Sequence, residues 1–152
     1  MKLKISRTNF LKFSIPIEKI IGKNLNLPIL NNFLFKASKG KLKITATNLE
    51  VGCEVDIPAK IEKDGDLVIP ARTINSAISN LSDDVISFDC NGSNLKLKTS
   101  KQAGDIAGTK LRKFSRFLER ETGKYFDVKY IMVKSVFIKY YNHHYFNDVY
   151  RI

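Results

Sequence analysis

The chain has 152 residues, room for one ordinary domain and something more, and its apolar content of 43% is too high for a disordered tail. Lys and Arg number 26 against 15 Asp and Glu, a formal charge of +11. Such an excess points to a polyanionic partner, nucleic acid being the usual one, unless it only reflects a lysine-rich proteome, so the distribution of charge has to decide. No run approaches the length of a membrane span. Met1-Lys2-Leu3-Lys4 alternates charge with apolar residues where a secretory leader would turn hydrophobic. The two cysteines, Cys53 and Cys90, fall on the apolar side of strand-like alternations and read as small buried hydrophobes that need no disulfide. A cytoplasmic protein is expected.

Lys2 to Ser6 alternates and predicts a short strand. A helical period follows, with Phe10, Phe13, Ile17, Ile20 and Ile21 on one face and Lys12, Lys19 and Lys23 striped along another. Thr8 is the expected N-cap, and Pro16 should kink the helix or end its first part. After a connection from Gly22 to Pro28, three strands are predicted: Phe33 to Ser38, Lys41 to Thr47 and Val51 to Ile61. Leu42, Ile44 and Ala46 face inward and Lys43, Thr45 and Thr47 outward in the second, while Pro58 marks an edge or bulge in the third. Lys63-Asp64-Gly65-Asp66 reads as a hairpin turn.

The order then begins again. Leu67 to Ile69 is a strand, and Arg72 to Leu81 a helix with Ile74, Ala77, Ile78 and Leu81 on one face and Arg72, Asn75, Ser76, Ser79 and Asn80 on the other. Strands follow at Val85 to Cys90, Asn94 to Ser100 and, more briefly, Gln102 to Ala107. Strand-helix-strand-strand-strand thus occurs twice, a repeat of architecture though not visibly of sequence. Each unit has one amphipathic helix and one sheet face to bury, so two units can pack helix beside helix. The helix faces carry Lys12, Lys19, Lys23 and Arg72 with Glu18 as the acidic exception, whereas most of the other acids gather at Glu50 to Asp66 and at Asp83, Asp84 and Asp89. Proteome bias alone does not sort charge this way.

Three motifs in register carry a family resemblance: Leu27-Pro28-Ile29-Leu30, Thr45-x-Thr47-x-Leu49-Glu50-x-Gly52 and Ile69-Pro70-Ala71-Arg72. In this order and spacing they resemble the first domain of the bacterial DNA sliding clamp, the beta subunit of DNA polymerase III. The resemblance implies an α+β DNA-clamp fold, with two strand-helix-three-strand units packed helices side by side over antiparallel sheets. Residues 1–118 would be the first domain. Asp105-Ile106-Ala107-Gly108 and Phe114 would close it, and 119–152 would be a linker and the incomplete start of a second domain, so the chain looks like a truncated clamp. Three departures stand out. Asn24 takes the place where the family often has arginine, Asn48 replaces the usual aspartate, and Lys110 to Arg120 lacks the expected acidic, proline-containing link.

The resemblance further implies a non-catalytic processivity factor of DNA replication, with no cofactor, that holds double-stranded DNA through its backbone. In the family, two protomers of three domains each close a homodimeric ring whose hole is lined by helices. The pocket for polymerase and clamp loader lies between the second and third domains and is expected to be missing here. Candidate DNA contacts are Arg72 first, then Lys12, Lys19 and Lys23, with Asn24 beside Lys23 and Asn75 beside Arg72. Asn147, Tyr150 and Arg151 fall where the family's second domain touches DNA. The blander readings are a solvated Arg72 near Asp66 and lysines that serve only solubility. His143-His144, amid tyrosines, point about 100° apart on a helix and suit one metal poorly. No nucleophile stands beside a base, so an enzyme is not indicated. The competing readings are a stand-alone basic nucleic-acid-binding module and a clamp remnant without function.

Overall fold

The computed structural model describes residues 1–21, 26–48 and 52–122. In chain order the elements are β1 (Lys2–Ser6), α1 (Arg7–Ile21), a 3-10 turn (Pro28–Asn31), β2 (Asn32–Ser38), β3 (Lys41–Thr47), β4 (Gly52–Pro58), β5 (Lys60–Lys63), β6 (Gly65–Pro70), α2 (Ala71–Ser79), β7 (Val85–Asn91), β8 (Asn94–Lys98), β9 (Ala103–Ala107) and α3 (Leu111–Thr122). The doubled strand-helix-three-strand pattern is present, but the units do not keep their own first strands. One sheet has the order β5-β1-β7-β8-β9 and the other β4-β3-β2-β6. The first unit's β1 lies antiparallel to β7 of the second, pairing Leu3 with Phe88, and the second unit's β6 lies antiparallel to β2, pairing Ile69 with Phe33.

This exchange corrects two expectations. The strand expected from Val51 to Ile61 is two strands, because Pro58 has no N–H to continue the ladder and the chain turns there. Ala59 donates its N–H to Gly40 O at 3.0 Å, and β5 crosses to the other sheet. Lys63 to Asp66 is accordingly no hairpin but a crossing between sheets, which delivers Leu67 and Ile69 opposite Phe35 and Phe33 of β2. At the far end, Thr109 bridges to Val68 and closes the sheets together again. The crossing needs glycine at 108, since a Cβ there would stand 2.6 Å from Val68 O and 2.8 Å from Ser93 O.

One core joins both sheets and both main helices. Phe35 of β2 stacks on Phe88 of β7 with centroids 6.2 Å apart, and Phe10 of α1 meets both rings edge-on at 5.9 and 5.8 Å. Ile17 and Ile21 of α1 and Ile74 and Ile78 of α2 complete this core. Phe13 and Ala77 are half-buried against it, and so are Cys53 and Cys90, which are free thiols pushed upward in pKa by burial. Leu34 and Val68 face the opposite side of the second sheet. There they meet Leu30 of the 3-10 turn and Phe114 of α3. The segment that lacks the expected acidic, proline-containing link is therefore an amphipathic helix, docked by Phe114 and Leu111 onto the Leu-Pro-Ile-Leu motif. Thr45 and Thr47, expected outward, are buried. Thr45 lies across from Leu34 in register and donates to Glu54 at 3.3 Å.

The N-terminus of α1 is also built by both units. Ser6 rather than Thr8 is the cap, its Oγ accepting from Asn9 N at 3.3 Å. Asp84, which precedes β7, accepts from Thr8 N at 3.0 Å, from Thr8 Oγ1 at 2.8 Å and from Ser6 Oγ at 3.0 Å. A carboxylate here satisfies an orphan N–H and faces the positive end of the helix dipole. Arg7 reciprocates, donating from Nε to Ile78 O at 3.0 Å and from Nη2 to Ser79 O at 2.7 Å, the last carbonyls of α2. Pro16 does not end α1, which is assigned without interruption across it.

Two measurements test this packing. Phe88→Ala removes the ring shared by both sheets and α1 and should cost about 3–5 kcal/mol in urea unfolding. The hydrogen bonds from Thr8 N, Thr8 Oγ1 and Ser6 Oγ hold the Asp84 carboxyl below the usual aspartate range. A depressed folded pKa contributes stability above the unfolded value near 3.9 and loses it as pH falls through the folded value. Asp84→Asn should therefore lower Tm at neutral pH and flatten the loss of Tm on acidification below about pH 4.

Candidate nucleic-acid interface

The antiparallel sheets set α1 and α2 side by side, with the start of α1 at the end of α2. Helical spacing then sorts α1 into three faces. Phe10, Ile17 and Ile21 enter the core, Arg7 and Glu18 face α2, and Thr8, Lys12, Ile15 and Lys19 are exposed. Lys12 and Lys19, two turns apart, stand about 10 Å from one another along the axis. Lys12 Nζ lies 5.6 Å from the centre of the Phe13 ring, which orients its stem without neutralising its charge. Arg72 is exposed on the first turn of α2.

What leaves this face positive is how the acids are used elsewhere. Glu62 takes Lys2 at 3.0 Å and Lys4 at 3.9 Å, Asp56 pairs with Lys41, and Glu54 pairs with Lys43, all on strands. The Glu62 contact holds that carboxyl low and raises Lys2. Asp83 accepts from Ser100 N at 3.0 Å and Ser100 Oγ at 2.7 Å, which hold its carboxyl low, and Asp84 caps α1. These five acids are thus engaged by sheet lysines, turns and a helix end. Among the described residues, Lys12, Lys19 and Arg72 stand in no ion pair, and Arg72 has not paired with Asp66.

Of the candidates, Lys12 and Lys19 are exposed on α1 and Arg72 on α2. Asn75 does not present itself to solvent: it is 4% exposed, and its Nδ2 donates to Glu18 Oε2 at 2.6 Å across the helix seam. The flank of α2 that holds Asn75 is the one α1 covers, which corrects its placement beside Arg72 on an open polar face. Lys23, Asn24, Asn147, Tyr150, Arg151 and the His143-His144 pair lie outside the described residues. Sequence reading missed Arg7, because nothing in a single chain signals that its guanidinium meets carbonyls 71 and 72 residues away. It also missed a groove of about 680 Å³ beside α3, lined by Lys110, Arg112 and Arg116 together with Asp66. The described residues contain no group of three or more His, Cys, Asp or Glu able to hold a metal, and no helix long and apolar enough to cross a membrane.

Two cross-paired sheets carrying a helix pair on one side define a DNA-clamp domain. The solved sliding clamp of Caulobacter crescentus superposes with a TM-score of 0.69 at 24% identity, covering 74% of this chain and 31% of that one, a likeness of fold. Residues 1–118 match the family described as DNA polymerase III beta subunit, N-terminal domain, and the chain belongs to that family. The beta sliding clamp of Vibrio harveyi is 28% identical over 113 residues, covering 70% of this chain and 75% of the relative. That of Synechococcus elongatus is 32% identical over 87 residues, 55% of this chain but only 23% of the relative. The chain thus spans about a quarter of that clamp and under a third of the solved one.

The face can be tested by salt. Each phosphate that a cation neutralises contributes roughly 0.9 to the slope of log affinity against log salt. Replacing Lys12, Lys19 and Arg72 together by Ala should flatten that slope by about 2–3 in duplex-binding anisotropy titrations. Replacing the paired Lys41 and Lys43 should leave it nearly unchanged.

Proposed function

We propose that this domain serves as the first domain of a DNA polymerase III beta sliding clamp, a non-catalytic processivity factor of cytoplasmic DNA replication. Its helix pair tracks the backbone of double-stranded DNA without reading sequence. The observation that carries the reading is that the exposed Lys12, Lys19 and Arg72 of the two helices stand in no ion pair of the described residues, while Glu54, Asp56 and Glu62 are held by strand lysines. Cations placed in this way position a duplex and give affinity that falls with salt, but they do not discriminate bases.

A ring gives such a surface its persistence, because a closed ring is retained on DNA by topology rather than affinity. A homodimeric ring of this family would draw on second and third domains. The pocket for polymerase and clamp-loader subunits would also lie with those domains. The first domain acting alone would therefore be an open basic patch. Its binding to nicked circular and to linear duplex of equal length should be equally weak and should fall equally steeply with salt. Retention on circles at high salt, with release from linear ends and nothing else added, would show instead that the chain closes around DNA unaided.

A further inference from the structure

Glu18 is the sole acid in either α1 or α2. It is half-buried on the seam between them, next along the chain to exposed Lys19. It belongs to none of the ion pairs of the described residues, and its partner is the neutral amide of Asn75, which orders the carboxylate without cancelling its charge. The amide is committed to this task. Asn75 Oδ1 is buried without a hydrogen-bond partner, a state that native structures seldom keep. Turning the amide over would bring that oxygen against the carboxylate, so the orientation that serves Glu18 is the one that strands Oδ1.

We propose that Glu18, held in place by Asn75, is a built-in negative element of the DNA-facing surface that weakens its hold on phosphate. This rests on the reading of that surface as the duplex contact. A fixed carboxylate next along the chain to Lys19, and bonded to the helix that carries Arg72, repels a phosphate that these cations attract, shallowing the well at each step along the backbone. Lower affinity per step favours movement along DNA over residence at one position.

The test uses the full chain and a fluorescent duplex of mixed sequence, with two variants that each remove one negative charge. Glu18→Gln keeps a hydrogen-bond acceptor for Asn75 and should bind roughly three- to tenfold more tightly at low salt, the gain shrinking as salt screens it. Glu62→Gln makes the same change in net charge among the sheet strands and should leave affinity within about twofold of the parent. Thermal melting of each variant verifies the fold. Equal affinities for Glu18→Gln and Glu62→Gln, or weaker binding by Glu18→Gln, would overturn the inference. Failure of the underlying reading shows separately: the Lys12, Lys19 and Arg72 replacements would then leave duplex binding and its salt slope untouched.

Discussion

The exchange of first strands between the two units governs the rest of the structure. A single strand-helix-three-strand unit offers its helix only one small sheet, with an unpaired edge where its own first strand has left. By lending β1 to β7 and β6 to β2, each unit completes the other's sheet. The apolar faces of both helices are then covered by a common core, with Phe10, Phe35 and Phe88 at its centre. The same exchange brings Asp84 to the start of α1 and Arg7 to the end of α2, so the helix termini are satisfied by residues of the opposite unit. Helix spacing and orientation follow from pairing in the sheets, and so does the surface the two helices present.

That surface is shaped by subtraction as much as by placement. An excess of lysine spread evenly would leave acids beside cations everywhere. Here Glu54, Asp56 and Glu62 are held by strand lysines, while Asp83 and Asp84 are held by turn and helix-end donors. The helices keep cations whose charge no described neighbour answers, with Glu18 as the one exception, fixed in place by an amide. A domain of this family needs no reaction chemistry for its task, and the construction of the face is electrostatic throughout.

Much of this was legible from spacing. The period of Phe10, Ile17 and Ile21 and that of Ile74 and Ile78 located both helices and their buried sides, and the clean alternation of Lys41 to Ala46 located β3. The continuous apolar runs Phe33-Leu34-Phe35 and Leu67-Val68-Ile69 were legible as strands but not as strands covered on both faces, since Leu34 and Val68 are explained only by Leu30 and Phe114 lying over them. The strand exchange was not legible, because alternation fixes which side of a strand is buried but not which strand it pairs with. Asn75 was misplaced for a related reason: helical periodicity separates polar from apolar flanks and cannot see that a neighbouring helix covers a polar one. The cap moved from Thr8 to Ser6 because boundaries are set by tertiary donors and acceptors, here Asp84, as much as by local preference.

The pairing of Lys2 with Asp89 also carries a consequence for the order in which the molecule can be made. Synthesis proceeds from the N-terminus, so β1 is the first strand to leave the ribosome and among the last to find its central partner. Until Val85–Asn91 has emerged, β1 can reach only the edge strand β5, and α1 lacks the carboxylate at its start and the Phe88 ring against Phe10. The second sheet can zip from β2 to β6 meanwhile, since its strands follow one another closely in sequence. Folding of this kind is paced by a long-range contact, and the start of α1 is the part of the helix that waits for it.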